Sequence, residues 1–204
     1  MDLKEQLLLV SAQMFLKYGI KSVSMDDISR QLGISKKTLY EVVENKNDLI
    51  NAVLDFHLKD SADELNALLK KSEDAIDEMM QVSSHVLFFI ANMSPTIIYD
   101  LQKYHPQSWK KVKEYQRTIV EKQIYNNLVR GQKEMLYRRD FDPQIVARLF
   151  VYKSSSITDH EVFPTELFDR KTLYKEIIKY HFFGIISEKG LKSLLKHYKK
   201  HFFI

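Results

Sequence analysis

The chain of 204 residues is long enough for one large domain or two small ones. With 45% hydrophobic and 28% charged residues it has the composition of a soluble globular protein, and the absence of cysteine excludes disulfides and thiolate zinc sites. The formal charge of +4 says little about binding partners, because it is not spread evenly along the chain. Residues 1–60 hold eight Lys or Arg and nine Asp or Glu, which gives this segment a net charge of −1.

The first residues lack the basic start and apolar core of a secretory signal. The most apolar run, residues 86–91, is far shorter than the ~20 residues that span a bilayer. We therefore expect a cytoplasmic protein without a membrane partner.

Apolar residues recur at helical spacing over residues 3–18 and predict a first helix, which Gly19 ends. Ser24 followed by Asp27 is typical of an N-cap with an acidic N3 residue, so a second helix is expected from there to about Leu32. Five glycines and four prolines are few for this length, and this favours long helices over short strands.

After Gly33, which provides a tight turn, Ser35 caps a short third helix that is predicted to reach about Val42. Asn45 or Asn47 then opens a long fourth helix. Helical periodicity continues to the end of the chain, and the further helices are predicted at about 73–92, 107–130, 142–156 and 169–186. The sequence predicts an all-α protein.

Two short helices joined by a glycine turn, over residues 24–42, match the geometry of a helix-turn-helix. The major groove of DNA admits one helix, and side chains at the N-terminus of that helix reach the base edges. Those side chains are Ser35, Lys36, Lys37 and Thr38. Tyr40 has a reach suited to a phosphate oxygen, and Lys46 with the start of the fourth helix forms a second anion site. The spacing alone also allows a solvated surface helix.

The stretch "LLLVSAQMFLKYGIKSVSMDDISRQLGISKKTLYEVVENKNDL" resembles the DNA-binding region of the TetR family of transcriptional regulators. The matching positions are Ala12, Phe15, Gly19, Ser24, Ile28, Leu32, Gly33, Ser35, Thr38, Leu39, Tyr40, Lys46 and Leu49. Val43 departs from the pattern, because family members usually carry a phenylalanine there whose ring packs the small domain.

The resemblance implies a three-helix DNA-binding domain in residues 1–46. It also implies a larger helical domain in residues 47–204 that dimerises and often binds a small effector. By position, Ser24 would cap the second helix and touch a phosphate. Lys36, Lys37 and Thr38 would face the groove, and Tyr40 and Lys46 would hold backbone phosphates.

Aromatic residues are frequent in the second domain, and we expect some of them to line an effector cavity between helices. The candidates are Phe89, Trp109, Tyr115 and Phe150. The alternative for each is a place in the core or in a dimer interface.

One recognition helix covers one half-site, so useful affinity for DNA predicts a homodimer. The helices at 142–156 and 169–186 carry more apolar surface than an internal core needs. The interface candidates are Ile145, Leu149, Ile178, Phe182 and Ile185.

The seven histidines form no HExxH-type motif, and the run at 154–156 lacks the glycines of a nucleophile elbow. We therefore predict no enzyme, no metal and no cofactor. The sequence favours a ligand-responsive regulator, most simply a repressor that binds a palindromic operator as a dimer and is released by an apolar or amphipathic effector. The rival is a helical interaction module that has lost DNA reading, supported by Val43 and the charge of residues 1–60.

Overall fold

The computed structural model describes residues 2–94 and 96–201, and these residues confirm the all-α fold. A π-helical turn, Gln116–Val120, joins α7 to α8, and within the described residues the β-type pairing is one bridge between Tyr137 and Ile186. The helices are α1 Leu3–Tyr18, α2 Met25–Leu32, α3 Lys36–Val42, α4 Lys46–Leu69, α5 Ala75–Asn92, α6 Ile97–Tyr104, α7 Pro106–Tyr115, α8 Glu121–Lys133, α9 Pro143–Ser156, α10 Arg170–Ile185 and α11 Glu188–His201.

The chain divides into two compact units. Unit 1 comprises Met1–Glu64 with Asn92–Lys113, and unit 2 comprises Leu65–Ala91 with Glu114–Ile204. The boundary predicted between residues 46 and 47 falls at the first turn of α4, whereas unit 1 continues along that helix and includes α6.

The core of unit 1 is formed by apolar side chains of α1, α2, α3 and α4, together with Ile97 and Leu101 of α6. Val43, which ends α3 with an extended backbone, is buried in this core, so a valine fills the packing position at the α3–α4 junction. The other fully buried members include Leu7, Ile28, Leu39 and Leu49.

The start of α6 packs on the end of α1. The Ser94 backbone N–H donates to the carbonyl of Leu16 at 2.6 Å, and the Lys21 N–H donates to Oδ2 of Asp100 at 2.9 Å. Gly19 ends α1 with φ of 83°, and a Cβ at this position would collide with the Thr96 hydroxyl. A glycine is therefore required here by both backbone conformation and space.

The core of unit 2 is built from the apolar faces of α5, α8, α9 and α10. A half-buried polar group lies beside it, in which Arg130 pairs with Glu78 at 2.6 Å and with Glu134 at 2.7 Å. The Asn127 amide donates to the Ala75 carbonyl at 2.8 Å, which joins α8 to the first turn of α5.

Within the described residues, no single helix is long and apolar enough to cross a membrane. Among the described helices, only α5 and α6 taken together, across the break between them, have the length and apolar composition of a membrane span.

Candidate DNA-binding surface

Hydrogen-bonded caps determine where α2 and α3 begin. The Ser24 hydroxyl accepts from the Asp27 N–H at 3.1 Å, while the Asp27 carboxylate accepts from the Ser24 N–H at 2.9 Å. The hydrogen bonds from Ser24 lower the pKa of Asp27. Ser35 caps α3 in the same way, accepting from the Thr38 N–H at 3.0 Å. Gly33 is left-handed, with φ of 66°, and so lets the chain turn between the two helices.

The first turn of α3 is directed outward because Leu39, on its opposite face, is fully buried in the core of unit 1. Lys36, Lys37 and Tyr40 are exposed and Thr38 is half-buried. The Lys36 ammonium pairs with the Asp26 carboxylate of α2 at 2.6 Å. Lys37 has no ion pair within the described part of the chain. The structure therefore places all of the predicted groove residues together, with Lys37 as the free cation among them.

Thr38 has part of its hydrogen-bonding capacity used within the same turn, because its hydroxyl lies 2.8 Å from that of Ser35. Its half-buried position limits it to one side of the turn. Thr38 is therefore engaged within the turn, whereas the neighbouring Lys37 side chain is exposed.

Lys46 has an internal role that the sequence did not predict. Its ammonium donates to the Ile20 carbonyl at 2.7 Å, and burial lowers its pKa although Asp100 and Asp27 oppose the shift. The start of α4 is also partly occupied, since the Asp48 N–H donates to the Asn45 side chain at 3.0 Å. Phosphate binding by Lys46 stays a prediction. Its hydrogen bond to Ile20 also holds the connector between α1 and α2 against the start of α4.

The four candidate effector residues are divided between the two units. Trp109 packs on the core of unit 1, with the Lys113 ammonium 5.3 Å from its ring. Phe89 and Tyr115 are half-buried in unit 2, and burial raises the pKa of Tyr115. Phe150 is buried in the core of unit 2, where its ring lies 4.4 Å from that of His181.

The dimer candidates require a correction. Ile145 and Leu149 of α9 are exposed, at 59% and 56%, as a surface contact demands. Ile178, Phe182 and Ile185 of α10 are 2–3% exposed, because they form the side of α10 that packs into the core of unit 2. Their assignment to the interface is wrong, since a side chain enclosed by its own chain has no surface to offer. The exposed side of α10 carries Tyr180 and Phe183 instead.

Glu73, Asp77 and His197 offer ligand atoms within 4.8 Å of one another and are the group that could hold a metal ion among the described residues. The sequence did not predict it because the histidine lies 120 residues after Asp77 and 124 residues after Glu73. The atoms already have partners: the buried His197 ring lies 3.3 Å from Asp74 and 3.5 Å from Asp77, and Lys196 pairs with Glu73 at 2.6 Å. These contacts attach α11 to the start of α5.

The α2–α3 pair, with its two caps, glycine turn and outward basic turn, is a helix-turn-helix. Residues 7–53 match the family described as bacterial regulatory proteins, tetR family. YvaF of Bacillus subtilis (strain 168), an HTH-type transcriptional regulator, is 21% identical over 169 residues, which cover 82% of this chain and 88% of YvaF.

Solved structures show the same fold over most of the chain. A transcriptional regulator from Cytophaga hutchinsonii is 18% identical, with a TM-score of 0.72 over 90% of this chain and 98% of its own. One from Saccharomonospora viridis, solved in complex with choline, is 15% identical, with a TM-score of 0.68 over 91% and 98% of the two chains. These matches support a TetR-family transcriptional regulator, with residues 7–53 matching the family and the fold shared over most of the chain.

Proposed function

We propose that this protein is a repressor that binds a palindromic operator as a homodimer and leaves it when a small apolar or amphipathic effector binds unit 2. The observation that carries the proposal is the first turn of α3, where Lys37 is exposed and Leu39 fixes the helix in the core of unit 1. The match of residues 7–53 to the tetR family of regulatory proteins supports the choice of partner. A bound dimer would repress by excluding polymerase from the promoter.

The dimer would form through the exposed apolar surface of α9 and α10, here named the α9–α10 face and consisting of Ile145, Leu149, Tyr152, Tyr180 and Phe183. Its α9 members recur at helical spacing, so they share one side of that helix. The Lys153 ammonium lies 4.4 Å from the Tyr180 ring and connects the two helices. Exposed apolar patches of this kind mark protein interfaces, and a two-fold axis would pair two such helices from each subunit.

An effector would bind unit 2 near Phe150 and His181. His181 is buried, and its Nε2 atom has no hydrogen-bond partner within the described residues. Burial, with a smaller contribution from Lys153, lowers the pKa of His181 to about 3, so the ring is neutral and presents one donor and one acceptor. A buried polar atom without a partner beside an aromatic ring fits an amphipathic ligand. The choline complex of the Saccharomonospora relative supports small-molecule binding by this fold.

Such an effector would act by favouring the dimer conformation whose two recognition helices are wrongly spaced for the operator. Phe89→Ala or Tyr115→Ala should then change the thermal shift that a ligand produces without changing ligand-free DNA binding. A thermal-shift screen of small apolar and amphipathic compounds provides the ligand for this comparison.

The rival function is a helical interaction module that does not read DNA. The Lys36–Asp26 ion pair and the Lys46–Ile20 hydrogen bond favour it, because the first neutralises an exposed lysine and the second engages a lysine ammonium with a backbone carbonyl. Binding to duplexes selected from a random pool separates the two functions. A DNA reader gives an affinity whose logarithm falls linearly with the logarithm of salt concentration. Failure to select any duplex at low salt would leave the interaction module as the function.

A further inference from the structure

Unit 1 carries a second basic surface, where the end of α1 meets α6. We name it the Tyr–Lys patch, and it consists of Lys17, Tyr18, Lys21, Tyr99, Lys103 and Tyr104. Its three tyrosines are 52%, 51% and 42% exposed, in chain order. The two sequence segments are joined by the hydrogen bond from the Lys21 N–H to Asp100.

Each lysine of the patch lies over a tyrosine ring. The ammonium of Lys17 is 5.0 Å from the centroid of Tyr18, and that of Lys21 is 5.0 Å from Tyr104. The Lys103 ammonium is 5.1 Å from the Tyr99 ring and 5.6 Å from that of Tyr104. These contacts hold the charges close to the surface, which reduces the conformational entropy that binding must remove.

Two hydroxyl groups of the patch accept hydrogen bonds from its lysines. The Lys103 ammonium donates to the Tyr99 hydroxyl at 2.6 Å, and that of Lys21 donates to Tyr104 at 3.4 Å. Because these two tyrosine oxygens accept from lysines, their own O–H protons remain available to donate to a ligand. The surface therefore presents ammonium and hydroxyl donors together.

The charge of the patch is not neutralised from within. None of its three lysines forms an ion pair with another residue of the described chain. Asp100, the acid of the same region, is 4% exposed, and its Oδ2 accepts from a backbone N–H. A surface of three cations and exposed hydroxyls is complementary to phosphate oxygens, which Lys and Tyr side chains contact in DNA complexes.

The patch is close along the chain to the predicted phosphate contacts. Lys21 follows Ile20, whose carbonyl accepts from Lys46, and it precedes the α2 cap at Ser24 by three residues. We propose that the Tyr–Lys patch binds the phosphate backbone of DNA that flanks the half-site read by α3. This inference rests on the proposed DNA-binding function, and it adds a contact outside the recognition helix.

The test compares two duplexes, one that ends at the edge of the selected operator and one extended by about one helical turn, ~10 base pairs, on each side. The variant carries Lys17→Gln, Lys21→Gln and Lys103→Gln. On the extended duplex, the steepness of log affinity against log salt should fall by about 0.9 for each lysine–phosphate pair removed, and so by roughly 2.7 for each subunit of the dimer and roughly 5.4 in all. On the short duplex, variant and wild type should agree.

Two controls match this variant. Arginine at the same three positions keeps the charge and the stacking, so it should keep the preference for the extended duplex. Lys122→Gln, Lys171→Gln and Lys192→Gln change the same charge at exposed positions of unit 2 and should leave the preference unchanged. The melting temperature of each protein verifies that the fold is retained.

Equal affinity of the wild type for both duplexes, or an unchanged preference in the glutamine variant, would overturn the inference but not the proposed function. No binding of the wild type to either duplex would overturn both. Binding of polyglutamate that the glutamine variant loses, without any preference for the extended duplex, would assign the patch to an acidic protein and overturn the assignment to DNA.

Discussion

The ammonium of Lys46 donates a hydrogen bond of 2.7 Å to the backbone carbonyl of Ile20, which lies 26 residues earlier in the chain. This contact fastens the connector between α1 and α2 to the first turn of α4. The connector that precedes α2 is therefore held in place near its first residue. Lys46 helps to position α2 in this way whether or not it also contacts a phosphate.

Lys46→Met should lower the free energy of unfolding by about 1–3 kcal/mol, because the variant has no charged donor and leaves the carbonyl unpaired. DNA affinity should fall alike on all sequences. Urea denaturation and binding isotherms measure the two effects. Lys37→Met is the matched control, since Lys37 is exposed and should affect DNA binding alone. An unchanged denaturation midpoint in Lys46→Met would contradict the stabilising role.

Lys37→Ala and Thr38→Ala should each change base preference, at a cost of about 1–3 kcal/mol if the contact is direct. Tyr40→Phe should weaken binding to all sequences about equally, because phosphate contacts position the protein without specifying bases. Isotherms on the selected operator and on single-base variants measure this. Unchanged affinity in all three proteins would exclude α3 as the reading helix.

The DNA-binding helices could be predicted closely because their boundaries are local. Ser24, Gly33 and Ser35 carry their signal within a few residues, and the structure begins and ends α2 and α3 where those residues predict.

The inward side of α10 could not be predicted. Ile178 and Phe182 point into the core while Phe183 is exposed, and the sequence is apolar on both sides. Packing against other helices decides the side. The hydrogen bond of Lys46 could not be predicted either, because its acceptor is a backbone carbonyl 26 residues earlier in the chain.

The corrected dimer surface predicts opposite outcomes for two neighbouring changes. Leu149→Asp places a charge on the exposed α9–α10 face and should give a folded monomer. Phe182→Asp places an unpaired charge in the core of unit 2 and should lower the free energy of unfolding by about 3–5 kcal/mol. Sedimentation velocity and thermal melting distinguish the two results. A wild-type monomer at micromolar concentration would contradict the interface and the palindromic operator.

His181 predicts a loss of stability in acid. Its pKa is lowered from 6.5 to about 3 in the folded chain, so below pH 6.5 the unfolded chain binds a proton that the folded chain does not. Stability should fall as the pH falls through this window, by about 1.4 kcal/mol for each pH unit. His181→Leu removes this dependence, so the difference between variant and wild type should grow by about 2 kcal/mol from pH 7 to pH 5. Parallel denaturation curves at the two pH values would contradict it.

The participation of α6 in unit 1 has a consequence for protein engineering. A fragment cut after α4 would lose Ile97 and Leu101 from its core and would leave the backbone N–H of Lys21 without Asp100. Grafting this DNA-binding region onto another effector domain therefore requires three splice points, after residues 64, 91 and 113, so that residues 92–113 are transferred together with residues 1–64. Chimeras made at a single junction should express poorly, and evolution by simple exchange of N-terminal segments faces the same constraint.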